Sequence, residues 1–357
     1  MRSLAFLLFI QSFVSCRQGQ ENARPAEAGI VSPFATAGLP DPGEGQAPAA
    51  NIVFQSTDGG KTWQDVSAGL TEKMEIQGVF SVGGEVFLGS MNGLYRNNSR
   101  TATPIWEQIP FLYGRITDVF PGRDGLYACS YGQGLFQNMP GTDIWKPMSN
   151  TLENITIRTV LETPEGILFI GSDNGIFRSA DSGQTWKQVF DKGMVLNLVA
   201  SGGVLIGGGA QGVLRSTDGG EHWECVLNEN ILAKRTGFIG DRFITILGTE
   251  DPSKVSPEGI TNRLRTSADG GKTWQRMEQD LLPVQAIYHM DERLSQVRDI
   301  YDIIQVGEYL LCSFDTGIFR SSDQGKTWEP VFSVNRKGSF NLSVCGQVIY
   351  AVQGGGC

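Results

Sequence analysis

An eight-residue pattern, Ser-x-Asp-x-Gly-x-Thr-Trp, recurs in this chain at Ser56–Trp63, Ser179–Trp186, Ser216–Trp223, Ser267–Trp274 and Ser321–Trp328, with His222 in place of Thr as the one departure. Two further segments keep the framing but not the pattern: Gly93-Leu-Tyr-Arg through Trp106, and Gly134-Leu-Phe-Gln through Trp145. The seven tryptophans therefore fall one to a repeat, 37 to 54 residues apart. A period near forty, with several short apolar runs per unit, predicts one four-stranded propeller blade per repeat. In each turn the Ser and Asp side chains can bond turn amides and the Gly can take a positive φ. The Trp then opens the next strand and packs its indole between sheets.

The runs around one repeat give the strand order. Arg158-Thr-Val-Leu-Glu and Ile167-Leu-Phe-Ile-Gly precede Gly175-Ile-Phe-Arg-Ser, so a blade reads A, B, C, octapeptide, D. The folding region enters on a C-like run, Asn51-Ile-Val-Phe-Gln, and a D-like run, Trp63-Gln-Asp-Val, and leaves on A-like Phe340-Asn-Leu-Ser-Val and B-like Val348-Ile-Tyr-Ala-Val. Each end is half a blade. Joining them completes a seventh blade and removes two open sheet edges. The expectation is an all-β, seven-bladed β-propeller over residues 51–357.

Residues 1–15 have a cationic start and an apolar run too short to span a bilayer, and read as an export signal. They lead to Phe13-Val14-Ser15-Cys16, which resembles the lipobox of bacterial lipoproteins; the resemblance implies lipidation of Cys16 and a membrane-anchored protein of the cell envelope. Residues 16–50, rich in Pro, Gly, Ala, Gln and Glu, cannot bury enough apolar surface to fold and read as a disordered tether. The formal net charge of −9 argues against nucleic acid, which requires a concentrated cationic surface. None of the six cysteines forms a Cys-x-x-Cys pair, so no disulfide framework is expected, and Cys129 and Cys312 read as free thiols in apolar strands.

Residues 51–357 resemble the Asp-box (BNR) propeller families, among them sialidases, xyloglucan-cleaving glycosidases, sortilin-type receptors and photosystem II assembly factors. The resemblance implies that the box lies away from the ligand face, making Asp58, Asp181, Asp218, Asp269 and Asp323 structural, together with Trp63, Trp186, Trp223, Trp274 and Trp328. A sialidase would carry a Phe/Tyr-Arg-Ile-Pro motif ahead of its first box, where this chain reads Ile52-Val-Phe-Gln-Ser. Single-ring assembly factors are similar in size and blade count, which implies a non-catalytic protein-interaction module; a glycoside hydrolase or a glycan-binding propeller is the alternative.

No catalytic set is assignable. His222 and His289 are the only histidines, leaving no zinc motif, and the Gly-Lys-Thr triplets at Gly60, Gly271 and Gly325 sit inside boxes without the upstream glycine of a nucleotide-binding loop. No cofactor and no metal is expected. Arg96, Arg178, Arg215 and Arg320 recur at one place in strand C, which favours a scaffold role. The candidate ligand face gathers Arg115, Arg158, Arg235 and Arg298 near the starts of innermost strands, Asp173 and Asp315 in equivalent B–C loops, and Tyr288 and His289 in the second of two long loops, 249–262 and 279–297. Its partner is expected to be a protein or a glycan.

Overall fold

The computed structural model describes residues 51–354 apart from 72–73, 98–104, 111, 149–151, 153–154, 230–231, 249–263, 278–299, 315–316 and 334–338. Cys16, Arg298, Asp315, Tyr288 and His289 lie outside the described residues, as do the export signal, the tether and both long loops. Among those described, 28 strands form seven four-stranded antiparallel sheets, the blades of a seven-bladed propeller. Six blades run A to D in chain order: blade 1 over residues 76–108, blade 2 over 116–147, blade 3 over 157–190, blade 4 over 195–227, blade 5 over 232–276 and blade 6 over 300–332.

Blade 7 is shared by the two ends, as expected. Ser339–Cys345 and Val348–Gly354 supply strands A and B, and Val53–Ser56 and Gln64–Asp65 supply C and D. The seam between the ends is a continuous ladder: Val53 faces Val352, Phe54 faces Ala351, Gln55 faces Tyr350 and Ser56 faces Ile349.

The core is divided into seven apolar clusters, each shared by two consecutive blades and each holding one tryptophan. Trp106 and Trp328 are buried, whereas the other five are half-buried. In the five intact boxes the indole also caps the turn before it: Nε1 of Trp63, Trp186, Trp223, Trp274 and Trp328 donates to the box-glycine carbonyl three residues back, at 3.0–3.2 Å.

The boxes bond as their residue types require. In blade 3, Ser179 Oγ donates to Asp181 Oδ1 (2.7 Å), Gly183 N donates to Ser179 Oγ (2.8 Å) and Thr185 Oγ1 donates to Asp181 Oδ2 (2.5 Å). In blade 4 the His222 ring Nδ1 stands where Thr does elsewhere, 2.7 Å from Asp218 Oδ2. Threonine hydroxyl and amide donors hold the Asp181 and Asp323 carboxyls down at about 2. The turn also plugs the seam: Gly60 has φ +87°, and a Cβ there would lie 2.5 Å from Leu311 of blade 6.

In blades 3, 4 and 6 the strand-C arginine fastens its blade to the next box. Arg178, Arg215 and Arg320 donate through Nε to the carbonyls of Gly219, Gly270 and Gly59, at 3.0, 2.8 and 2.8 Å. These guanidiniums are ring fasteners. Cys129 and Cys312 are buried free thiols, and Cys225 and Cys345 are unbridged as well.

Candidate functional site

Because each blade is an antiparallel meander, strand A begins and the B–C loop turns at the same face of the ring, while the boxes lie at the opposite face. Backbone bonds tie the two features together: Met91 N to Glu75 O, Tyr131 N to Arg115 O, Asp173 N to Thr156 O and Ala210 N to Met194 O. Arg115, Arg158 and Asp173 therefore share this face, and three described large apolar side chains on its loops are strongly exposed: Met91 (40%), Tyr113 (58%) and Tyr131 (42%).

Tyr131 is the centre of the cluster. The Arg115 guanidinium carbon lies 5.0 Å and that of Arg158 5.7 Å from its ring centroid, both within cation–π range. Arg115 Nε donates to Gln77 Oε1 of blade 1 (2.7 Å), and its two terminal nitrogens make no hydrogen bond among the described residues. Arg158 holds Asp173 with two bonds, Nε to Oδ1 at 2.7 Å and Nη2 to Oδ2 at 3.2 Å. Asp173 thus serves as counter-ion and orienter of Arg158. The loops of blades 1 to 3 present an exposed aromatic ring flanked by two cations.

Arg235 belongs elsewhere. Its Nε lies 2.9 Å from Oδ1 of Asp302, a fully buried residue of blade 6 strand A, and its charge also acts on Asp118 of blade 2. Asp118 and Asp302 occupy matching positions, each just after the register shift in its innermost strand. Asp302 Oδ2 accepts Leu342 N of blade 7 at 2.9 Å. Asp302 thus ties the innermost strands of blades 5, 6 and 7 together.

Burial lifts the Asp118 carboxyl from 3.8 to about 7, against the pull of the Val119 amide and Arg235, and burial likewise raises Asp302. A carboxyl whose value is higher in the folded chain than in the unfolded one keeps its proton longer when folded. Its stability contribution is therefore complete below about pH 4 and lost as pH rises through 7. Wild-type melting temperature should fall as pH rises from about 4 to about 7. Asp118→Asn should remove most of that slope; an unchanged slope in the variant would mean that Asp118 is ionised throughout.

Tyr131, Gln77, Met91, Tyr113, Asp118 and Asp302 were not singled out by the sequence reading. A comparison of B–C loops across repeats carries a signal for Tyr131, which falls where other blades place Met91, Asp173 or Ala210. The two acids in otherwise apolar inner strands carry one for Asp118 and Asp302. Among the described residues no group of three or more His, Cys, Asp or Glu side chains could hold a metal ion.

Fold and repeat together define the class: a seven-bladed propeller of Asp-box repeats with a cation–aromatic cluster on its loop face. A model of the BNR-Asp box repeat matches residues 318–331. No curated protein matches the chain. Among solved structures it is similar to the extracellular domain of the hybrid two-component system BT4673 from B. thetaiotaomicron, with TM-score 0.60 and 12% identity, covering 80% of this chain and 38% of that one. An ancestral GH74 enzyme gives TM-score 0.53 at 15% identity, covering 84% and 45%. YCF48 bound to D1 peptide gives 0.53 at 17% identity, covering 79% and 93%. The chain thus spans less than half the length of the first two and nearly all of the third. At these identities the likeness is one of fold, and the fold hosts both enzymes and binding proteins.

Proposed function

We propose that the protein is a non-catalytic interaction module that holds a partner protein on the loop face of blades 1 to 3. The observation that carries this reading is Tyr131, exposed and flanked by the Arg115 and Arg158 guanidiniums. Aromatic and arginine side chains are the residue types that dominate binding hot spots. The partner segment that fits is acidic and carries an apolar or aromatic side chain to lay against Tyr131. YCF48, which shares the ring, is known with a peptide bound, a precedent for such a role.

We place the propeller outside the cytoplasm, tethered through Cys16 by residues 16–50. The support is the N-terminal sequence, with the extracellular location of the BT4673 domain as an analogy of fold. Cys16→Ser should shift the protein from the membrane to the soluble fraction; a wild-type protein recovered without detergent and with an unmodified N-terminus would remove the anchor from the proposal.

The test of binding uses two substitutions on side chains with few scaffold contacts, Arg115→Glu and Tyr131→Ala. Partner retention from cell-envelope extract should fall roughly 10- to 100-fold in each while melting temperature stays near wild type. For the charged variant the loss should shrink as salt is raised. Retention indifferent to both substitutions and to salt places the interface elsewhere. Hydrolysis of a glycan panel by the purified wild type would make it an enzyme.

A further inference from the structure

The five intact boxes seal the seams between blades, and the turn of blade 2, which has lost its box, does not. There Asn138 Nδ2 donates to Thr142 O (2.8 Å) and Thr142 Oγ1 to Met139 O (2.8 Å), giving the turn a path of its own. Trp145 Nε1, whose counterparts in the intact boxes each reach a glycine carbonyl, is buried with no hydrogen-bond partner. Thr142 stands three residues before Trp145, the place of the box glycines Gly60, Gly220 and Gly271, which lie so close to the preceding blade that a Cβ on them would collide with it. Arg96 of blade 1 has also changed partner. Instead of a box carbonyl it binds Asp143 through both terminal nitrogens, at 2.8 and 3.3 Å, and lies 3.9 Å from Glu85.

The outcome is a cavity of about 350 Å³ on the seam between blades 1 and 2, at the box side of the ring and away from Tyr131. Phe87 and Trp145 give it apolar wall, and Glu85, Arg96, Asn138 and Asp143 give it polar wall. We propose that this cavity binds a neutral sugar ring. The one guanidinium is already matched by Asp143, with Glu85 close by, so an anionic ligand would meet uncompensated carboxylates. A wholly apolar ligand would strip water from the carboxylates and the amide and leave them unpaired. A pyranose has vicinal hydroxyls for carboxylate and amide oxygens and a C–H face for the aromatic wall, the combination of apolar surface and few placed polar groups that small-molecule sites use. The proposal is independent of the loop-face reading.

The experiment follows the indole N–H resonances of the ¹⁵N-labelled full chain, that of Trp145 assigned through Trp145→Phe, during titration with glucose, galactose, mannose, xylose and N-acetylglucosamine. The expected result is a saturable shift of the Trp145 resonance with at least one sugar, Kd on the order of 1 mM, while Trp274 and Trp328 stay in place. Asp143→Ala, a substitution on an exposed turn, should weaken that binding about 10-fold or more, and Arg115→Glu should not affect it. The idea is overturned if no sugar of the panel moves the Trp145 resonance, or if the shift persists unweakened in a folded Asp143→Ala protein.

Discussion

Removing residues 340–357 should abolish the single cooperative unfolding transition and drive the chain into oligomers. The deletion takes away strands A and B of blade 7, which carry Phe340, Leu342, Ile349, Ala351 and Val352, all buried. The loss has two parts. Strand C of blade 7 is left with the open backbone edge that Val352, Ala351, Tyr350 and Ile349 now cover, and an exposed edge of that kind is a template for pairing with another chain. The cluster shared with blade 6, which includes Ile304, Leu311 and Ile318, loses half of its packing partners at the same time. Buried Leu or Ile to Ala changes each cost about 2–5 kcal/mol, so losing several such contacts exceeds the 5–15 kcal/mol that holds a typical domain together. Size-exclusion chromatography and thermal melts decide the point. A truncated chain that stays monomeric with an unchanged melting temperature would mean that the ring does not depend on its closing ladder.

The second large effect is expected at Trp328, where substitution by Ala should cost about 3–5 kcal/mol in denaturant unfolding. Its side chain is buried in the seam of blades 5 and 6 against Ile244, Ile246 and Leu310, and its Nε1 donates to Gly325 O at 3.0 Å. Trp186 makes the same bond at 3.1 Å but is half-buried, so Trp186→Ala should cost roughly half as much. Equal costs at the two sites would indicate that the capping bond, common to both, matters more than burial.

The octapeptide carried the fold because each of its residues has one structural task, and seven tryptophans at a blade period admit few other architectures. Closure was legible from the two half-blades at the ends. The ligand face was legible only in part: Arg115, Arg158 and Arg235 all lie near the start of an innermost strand, yet they do not form one ring of cations. Arg115 precedes the first paired residue of its strand, Arg158 is the residue skipped at the register shift after Ile157, and Arg235 follows the shift after Ala233. In a strand a single-residue offset reverses the side on which a side chain emerges. Two arginines therefore meet Tyr131, while the third turns toward Asp302. Pairings such as Arg235 with Asp302, 67 positions apart and in neighbouring blades, are set by ring geometry, which no local pattern encodes.

The same logic explains blades 1 and 2. They lack the octapeptide, and the described large apolar side chains that are strongly exposed, Met91, Ile105, Tyr113, Tyr131, Met139 and Ile144, all fall between residues 91 and 144. Among the described residues, a sector freed from the box consensus carries the exposed apolar surface that the other blades do not.

The most direct measurement places the photo-crosslinking residue p-benzoylphenylalanine at position 131 on the loop face and, separately, at position 182 in the box turn of blade 3, in cells that make the full chain. The interaction reading predicts a discrete protein adduct from position 131, diminished by Arg115→Glu and by added salt, and no such adduct from position 182. The same adducts from both positions, or none from position 131 while the protein is folded and in its native compartment, would contradict it.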